Sequence, residues 1–144
     1  MGPEFLLNGC LVPGIHRLTM QQISEIFGYT SHRRELISGF AQGVSYLKQC
    51  GCRRVFLDGS FVTRKHAPVD FDACWDMAGV DLAMLYELYP IFFDFANGRA
   101  NQKRLFKGEF FPANSPAIAF PVVTYLQFFQ KDRNNDDKGI VELI

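Results

Sequence analysis

Residues 55–60, Val-Phe-Leu-Asp-Gly-Ser, and residues 70–72, Asp-Phe-Asp, carry the strongest structural signal in this chain. The apolar run before Gly59 and Ser60 predicts a strand that ends in a tight turn. Residues 69–75 then alternate, with one face made of Val69, Phe71, Ala73 and Trp75 and the other of Asp70, Asp72 and Cys74. This alternation predicts a second strand, so the region is interpreted as strand, turn, strand.

Asp70 and Asp72 form a pair of carboxylates on one face of the second strand. Residues two apart on a strand have Cα atoms roughly 6.5 Å apart, a spacing at which two carboxylates can share divalent ions. Oxygen ligands favour Mg²⁺ or Mn²⁺, and such ions bridge the phosphates of a nucleoside triphosphate. Backbone N–H groups of Gly59 and Ser60 would approach the same phosphates, with the serine hydroxyl as a further donor.

The Gly-Ser turn, a spacer of this length and Asp-x-Asp resemble the DNA polymerase β-like nucleotidyltransferases. The wider pattern at residues 13–16, 59–72, 97–99 and 138–141 is similar to a group of small bacterial proteins of that superfamily. The resemblance implies an α+β (α/β-like) nucleotidyltransferase fold, a short mixed β-sheet flanked by helices, with a Mg²⁺ or Mn²⁺ site. It also implies transfer of a nucleoside monophosphate from a nucleoside triphosphate, often ATP, to an acceptor.

The resemblance leaves the acceptor open, because members of the superfamily modify RNA, DNA, proteins, antibiotics or nucleotides. An acceptor protein or RNA is expected here. Small members frequently belong to toxin–antitoxin or phage-defence pairs, which makes a cognate toxin or antitoxin an expected partner by analogy. The alternative function is a non-catalytic binding protein of the same fold, such as an antitoxin, since the chain is short and shows no obvious acceptor-binding domain.

A third carboxylate on a neighbouring strand is implied by the resemblance, and Asp94 is its candidate. It lies in Ile-Phe-Phe-Asp-Phe at residues 91–95, a pattern that predicts a short strand. A charge among apolar neighbours is costly unless it is paired or binds a metal. The alternative is that Asp94 caps the following turn. Weaker candidates are Asp76, Asp81 and Glu87, and Asp81 is expected to cap a helix.

Basic residues supply candidate contacts to the triphosphate. Asn97 is expected to begin a helix that reaches about Lys107, on which Arg99, Lys103 and Lys107 share one side. That side is either a cradle for phosphate oxygens or a solvated basic face. Lys65, in the spacer, either reaches a phosphate or keeps an exposed loop solvated.

The remaining elements follow from periodicity and capping signals. The predicted helices are Thr19–Phe27, a longer one from Ser31 to Gly51, Asp81–Tyr89, the basic helix from Asn97, and one from Pro121 to about Gln130, and the predicted last strand is Ile140–Leu143.

Composition limits the remaining possibilities. The chain has 144 residues, 48% of them hydrophobic, with no linker-like segment, which predicts one domain. Residues 1–5 have the appearance of a cloning remnant, so the nucleotidyltransferase-like domain is placed at residues 6–144. The 15 basic and 15 acidic side chains cancel, which disfavours general nucleic-acid coating. No secretory or membrane-spanning run is present, so a cytoplasmic protein without a membrane partner is expected.

Overall fold

A five-stranded mixed sheet with helices packed against it is described for residues 2–144 by a computed structural model. Met1, part of the predicted cloning remnant, lies outside the described residues. The elements in chain order are β1 (Gly14–Leu18), α1 (Met20–Phe27), α2 (Ser31–Gln49), β2 (Val55–Asp58), a 3-10 turn (Gly59–Val62), β3 (Phe71–Trp75), α3 (Leu82–Leu88), a 3-10 turn (Pro90–Phe93), α4 (Ala96–Phe106), β4 (Gly108–Pro112), β5 (Pro116–Ile118), β6 (Val123–Thr124), α5 (Tyr125–Phe128) and β7 (Gly139–Leu143). The predicted α+β class with a short mixed sheet is confirmed.

The strand order of the main sheet is β1-β7-β2-β3-β4. The two outer pairs, β1 with β7 and β3 with β4, are parallel, whereas β2 runs antiparallel to both of its neighbours. β5 and β6 form a separate two-stranded hairpin. Because β2 and β3 are antiparallel neighbours, the end of β2 and the beginning of β3 lie side by side, which brings the two predicted motifs together.

The two faces of the sheet bury different clusters. Phe71, Ala73 and Trp75 of β3 belong to the main core, which α2 helps to cover. The alternation predicted for this strand is confirmed, although β3 begins at Phe71 and the Val69 side chain is 81% exposed. The opposite face carries a smaller cluster of Phe56, Cys74, Phe111, Ala113 and Ile140, packed against Tyr125, Leu126 and Phe129.

Local capping signals predicted the early helices well. Thr19 and Gln22 form the expected capping box of α1, and Cys50 ends α2. Asp81 caps α3 through its bond from the Met84 amide, 3.0 Å long. These elements could be predicted because each cap and its helix are neighbours in sequence.

Two predicted elements are wrong. Residues 91–93 belong to the Pro90–Phe93 3-10 turn and residues 94–95 link it to α4, so no strand forms at 91–95. The Ile91 carbonyl accepts a bond from the side-chain amide of the buried Gln102 (3.0 Å), and the Gln102 side-chain oxygen accepts one from the Phe110 amide of β4 (2.8 Å). The predicted helix from Pro121 is reduced to Tyr125–Phe128, because the preceding residues pair in the β5–β6 hairpin. Strands β1, β4, β5 and β6 were not predicted.

The amino-terminal segment contacts the body of the fold. Phe5 pairs with Leu11 in an isolated bridge, and its ring lies 6.2 Å from the ring of Phe27. The origin of residues 1–5 as a cloning remnant stays a prediction. Within residues 2–144, none of the helices is both long enough and apolar enough to cross a lipid bilayer.

Arg33 is a fully buried cation, with 0% of the residue exposed. It lies in α2 and its guanidinium donates to four backbone carbonyls: Phe27 at 3.2 Å, Phe61 at 2.8 Å, Thr63 at 2.9 Å and Lys65. Three of these carbonyls belong to the segment that links β2 to β3. The guanidinium therefore fixes the course of the spacer between the Gly-Ser turn and the Asp-x-Asp pair.

Replacing Arg33 by Met should lower the free energy of unfolding by about 3 kcal/mol or more, because four buried carbonyl contacts lose their donor. Arg34→Met is the matched control, because Arg34 is the next residue of α2. Its side chain is exposed and donates to a single carbonyl, that of Gly28 (3.0 Å). We expect the control to lose about 1 kcal/mol or less. Urea titrations of both variants measure this, and equal losses would contradict the structural role of Arg33.

Candidate carboxylate site

The Gly-Ser turn follows β2 directly and packs against the second motif. Gly59 begins the 3-10 turn with φ +75°, and a Cβ atom added there would collide with Asp72 Oδ2. Its backbone conformation also favours glycine. Two independent constraints therefore require glycine at this position, and the predicted turn lies against the Asp-x-Asp motif.

Strand register gathers the carboxylates. Asp58 at the end of β2 is the partner of Asp72 in β3, and Asp72 is in turn the partner of Glu109 in β4. Residues opposite each other on neighbouring strands have their side chains on the same face. Asp70 immediately precedes β3. The site thus contains both predicted aspartates together with Asp58 and Glu109, which sequence reasoning missed.

Asp72 lies among the charges of the other site residues. Burial, and then the neighbouring charges of Asp70 and Glu109, raise the pKa of Asp72 to about 7. Burial also raises the pKa of Asp70, against the opposing effects of Lys103 and Lys65. The shift of Asp72 favours proton or cation uptake near neutral pH, and that of Asp70 acts in the same direction.

Asp58 is a fully buried carboxyl beside the Cys74 thiol. The residue is 0% exposed, no nitrogen or oxygen donor within residues 2–144 bonds its side chain, and the Cys74 thiol opposes the rise in its pKa. Burial and then the Asp72 charge hold the pKa of Asp58 well above its usual range. A buried acid is tolerated when it is neutral, and the raised pKa favours the neutral, protonated form of Asp58.

Basic side chains surround the carboxylates. Lys103 Nζ lies 3.5 Å from Glu109 Oε1, and its charge opposes the rise in the pKa values of Asp70 and Asp72. Lys138, just before β7, also lowers the pKa of Asp72. The structure therefore brings the predicted residues Lys65 and Lys103 to the aspartates.

Arg99 is held by aromatic rings beside the site. Its guanidinium carbon lies 4.2 Å from the ring centroid of Phe111 and 4.7 Å from that of Phe95. Phe111 follows Glu109 by two residues on β4, so the two side chains lie on the same face. This arrangement places Arg99 on the carboxylate face of the sheet, over the ring two residues after Glu109.

The predicted helical basic face is only partly correct. Asn97, Gly98 and Arg99 have left-handed backbone conformations, with φ values of 52°, 63° and 60°, so the regular helix follows them. Lys107 is likewise left-handed, at φ 66°, and ends the helix. Arg99, Lys103 and Lys107 therefore do not share one regular helical row.

Asp94 lies outside the carboxylate group. It ends the Pro90–Phe93 turn, where Oδ1 accepts from the Ala96 amide (3.2 Å) and Oδ2 from the Asn101 side chain (2.8 Å). These bonds are those of the capping alternative. The position expected of the third carboxylate, on a strand next to β3, is occupied by Glu109. Its signal in the sequence was weak, because residues 108–112 (Gly-Glu-Phe-Phe-Pro) place two phenylalanines in a row and do not alternate.

The group is not a closed metal centre. Within the described residues 2–144, no three or more His, Cys, Asp or Glu side chains are arranged to hold a metal ion. One of the carboxylates, Glu109, is paired with Lys103. The donors are nevertheless all oxygens, the set that suits Mg²⁺ or Mn²⁺.

Comparison with known proteins identifies the family. The sequence model described as "Family of unknown function (DUF6932)" matches residues 3–144. The chain belongs to this family. The match includes the Gly-Ser turn, strands β2 to β4 and all four carboxylates, so the candidate site lies within the family's domain. No curated protein and no solved structure matches the chain.

Gly59→Ala should lower the free energy of unfolding by more than the roughly 1 kcal/mol that positive φ alone costs, because the new methyl group collides with Asp72. Gly98→Ala is the matched control, since Gly98 has a similar φ of +63° but nothing within 4 Å of the added Cβ. Urea denaturation compares the two. Equal destabilisation would show that Gly59 does not pack on Asp72.

Asp72→Asn should make the metal-free protein more stable at pH 8 but change it little at pH 4. The folded-state pKa of about 7 lies above the unfolded value near 4, so the folded state binds the extra proton. The stability linked to this proton is fully present below about pH 4 and is lost as pH rises through about 7. Melting temperatures of both proteins in EDTA across this range test the sign, and a constant difference at all pH values contradicts it.

Proposed function

We propose that this protein is a metal-dependent nucleotidyltransferase with the nucleotidyltransferase fold. It transfers a nucleoside monophosphate from a nucleoside triphosphate to a hydroxyl of an acceptor protein or RNA. The observation that carries this proposal is the packing of the Gly59-Ser60 turn on Asp72, with Asp70 and Glu109 beside it. A phosphate-sized turn and clustered carboxylates are the two parts that phosphate-bound divalent cations require.

Asp70, Asp72 and Glu109 are the proposed ligands of Mg²⁺ or Mn²⁺. Burial, and then the charges of Asp70 and Glu109, raise the pKa of Asp72, and a bound cation would relieve both effects. When bound, the metal neutralises charge on the phosphates and lowers the barrier to displacement at the α-phosphorus. Glu109 would exchange its contact with Lys103 for the metal, which frees the lysine to pair with phosphate oxygens.

The other residues of the site bind and orient the triphosphate. Backbone N–H groups of Gly59 and Ser60 face the phosphates, and Lys65, Lys103 and Arg99 offset their charge. The acceptor hydroxyl attacks the α-phosphorus, a new P–O bond forms, and the bond to pyrophosphate breaks on the opposite side. The hydroxyl proton passes to a carboxylate of the group. Positioning and electrostatics supply most of the rate in such a reaction.

Asp70→Asn, Asp72→Asn and Glu109→Gln should each lower nucleotide transfer by about two orders of magnitude or more, because a charged ligand becomes neutral. Asp94→Asn is the matched control, since it makes the same change outside the group and asparagine also caps well. Transfer is measured with each labelled triphosphate, Mg²⁺ or Mn²⁺, and a cell lysate as the source of acceptor. Mn²⁺ binding is measured in parallel by calorimetry.

Loss of transfer in Asp94→Asn together with full activity in Glu109→Gln would refute Glu109 as the third ligand. Absence of both transfer and Mn²⁺ binding in the wild-type protein would refute the enzyme itself and favour the second candidate function.

The second candidate is a non-catalytic binding protein, such as an antitoxin that binds a cognate toxin. One observation favours it: the β5–β6 hairpin exposes apolar side chains, with Phe120 92%, Val122 67% and Ile118 42% exposed. Residues 110–130 also contain no charged side chain. Apolar patches of this kind are typical of protein–protein contact surfaces. Both candidate functions use the same fold, and the transfer assay separates them.

A further inference from the structure

An arginine-rich groove lies at the end of the sheet remote from the Gly-Ser turn. It has a volume of about 520 Å³ and is lined by Arg17, Arg53, Arg54, Glu142, Leu143 and Ile144. Arg54 and Asp58 are four residues apart on one extended segment, which corresponds to about 13 Å. The arginine groove is therefore separate from the carboxylate group.

Only one of the three arginines is neutralised. Arg54 donates two bonds of 3.0 Å to the carboxylate of Glu142, which is 7% exposed. These bonds, and to a smaller extent the charge of Arg17, lower the pKa of Glu142, which keeps it ionised. Arg17 and Arg53 form no ion pair within residues 2–144. Three guanidinium groups thus face a single carboxylate side chain.

The Arg53 guanidinium packs against Gly79. A Cβ atom added at Gly79 would lie 3.0 Å from Arg53 Nε and 3.2 Å from its Cζ, so the guanidinium rests directly on the glycine. Gly79 itself has φ +79°, a conformation that favours glycine. The Arg53 side chain is exposed, so its guanidinium is open to a ligand.

We propose that the arginine groove binds a phosphate group. Planar guanidinium forks match the oxygens of phosphate, and Arg17 and Arg53 have all their donors available for it. Arg54, held by Glu142 through Nε and Nη2, keeps Nη1 free for the same ligand. The phosphate comes either from a single-stranded nucleic acid or from a free nucleotide, which share this chemistry. The proposal does not depend on the nucleotidyltransferase function.

The test is phosphate-ligand binding in EDTA, where metal-dependent binding at the carboxylates does not contribute. Fluorescence anisotropy follows two probes, a labelled single-stranded RNA oligonucleotide and a labelled nucleoside triphosphate, over a range of salt concentrations. The variants are Arg17→Gln and Arg53→Gln, whose side chains have no intramolecular ion pair to lose. Arg133→Gln is the matched control, an exposed arginine outside the groove. Arg54 is left unchanged because its removal would strand the buried Glu142.

Each groove variant should weaken binding by about fivefold or more, whereas Arg133→Gln should change it little. With RNA, the slope of log affinity against log salt should also fall by about 0.7 per arginine. Arg53→Lys should recover only part of the loss, because it restores the charge but not the fork. A loss confined to RNA identifies a nucleic-acid phosphate, and a loss confined to the triphosphate identifies a free nucleotide. No binding by the wild-type protein, or equal affinities in the groove and control variants, overturns the proposal.

Discussion

The buried guanidinium of Arg33 is the interaction on which the candidate site depends. Within residues 2–144 it has no carboxylate partner, and its charge is balanced by carbonyl oxygens and by the rings of Tyr29 and Phe61, whose centroids lie 4.6 and 4.9 Å from Arg33 Cζ. Burial lowers the pKa of Arg33, and Tyr29 opposes that effect. Because arginine keeps its proton even when buried, Arg33 stays positively charged, and the carbonyls of the spacer bond to it.

The carboxylate group has the opposite character, since its members oppose folding. Asp58, Asp72 and Glu109 are neighbours on three adjacent strands, and burial, followed by the charges of neighbouring carboxylates, raises the pKa values of Asp58 and Asp72. The main core offsets this cost on the other face of the sheet. There Phe40, Phe71 and Phe110 pack together, with Phe71 and Phe110 edge to face at 5.4 Å. Repulsive groups on a rigid, well-packed sheet are typical of sites that bind cations.

Basic residues approach the carboxylates from two distant parts of the chain. Lys65 comes from the spacer that Arg33 fixes, and Lys103 comes from α4, whose buried neighbour Gln102 bonds both to Ile91 and to β4. The same glutamine sets the path of residues 91–95 and anchors the strand that carries Glu109. The Gln102 side chain therefore links the turn before Asp94 to the strand that carries Glu109.

The sequence by itself determined the local features: the Gly59-Ser60 turn, the alternation around Asp70 and Asp72, and the caps at Thr19 and Asp81. Each of these depends on residues close together in the chain. Only the tertiary structure decided that Glu109 and Asp58 flank Asp72, because the pairing of β3 with β4 joins residues 37 positions apart and a strand's own pattern does not name its neighbour. Residues 91–95 have strand propensity, yet residues 91–93 form a 3-10 turn whose Ile91 carbonyl bonds Gln102, and Gln102 in turn bonds β4, since propensity is weaker than tertiary packing.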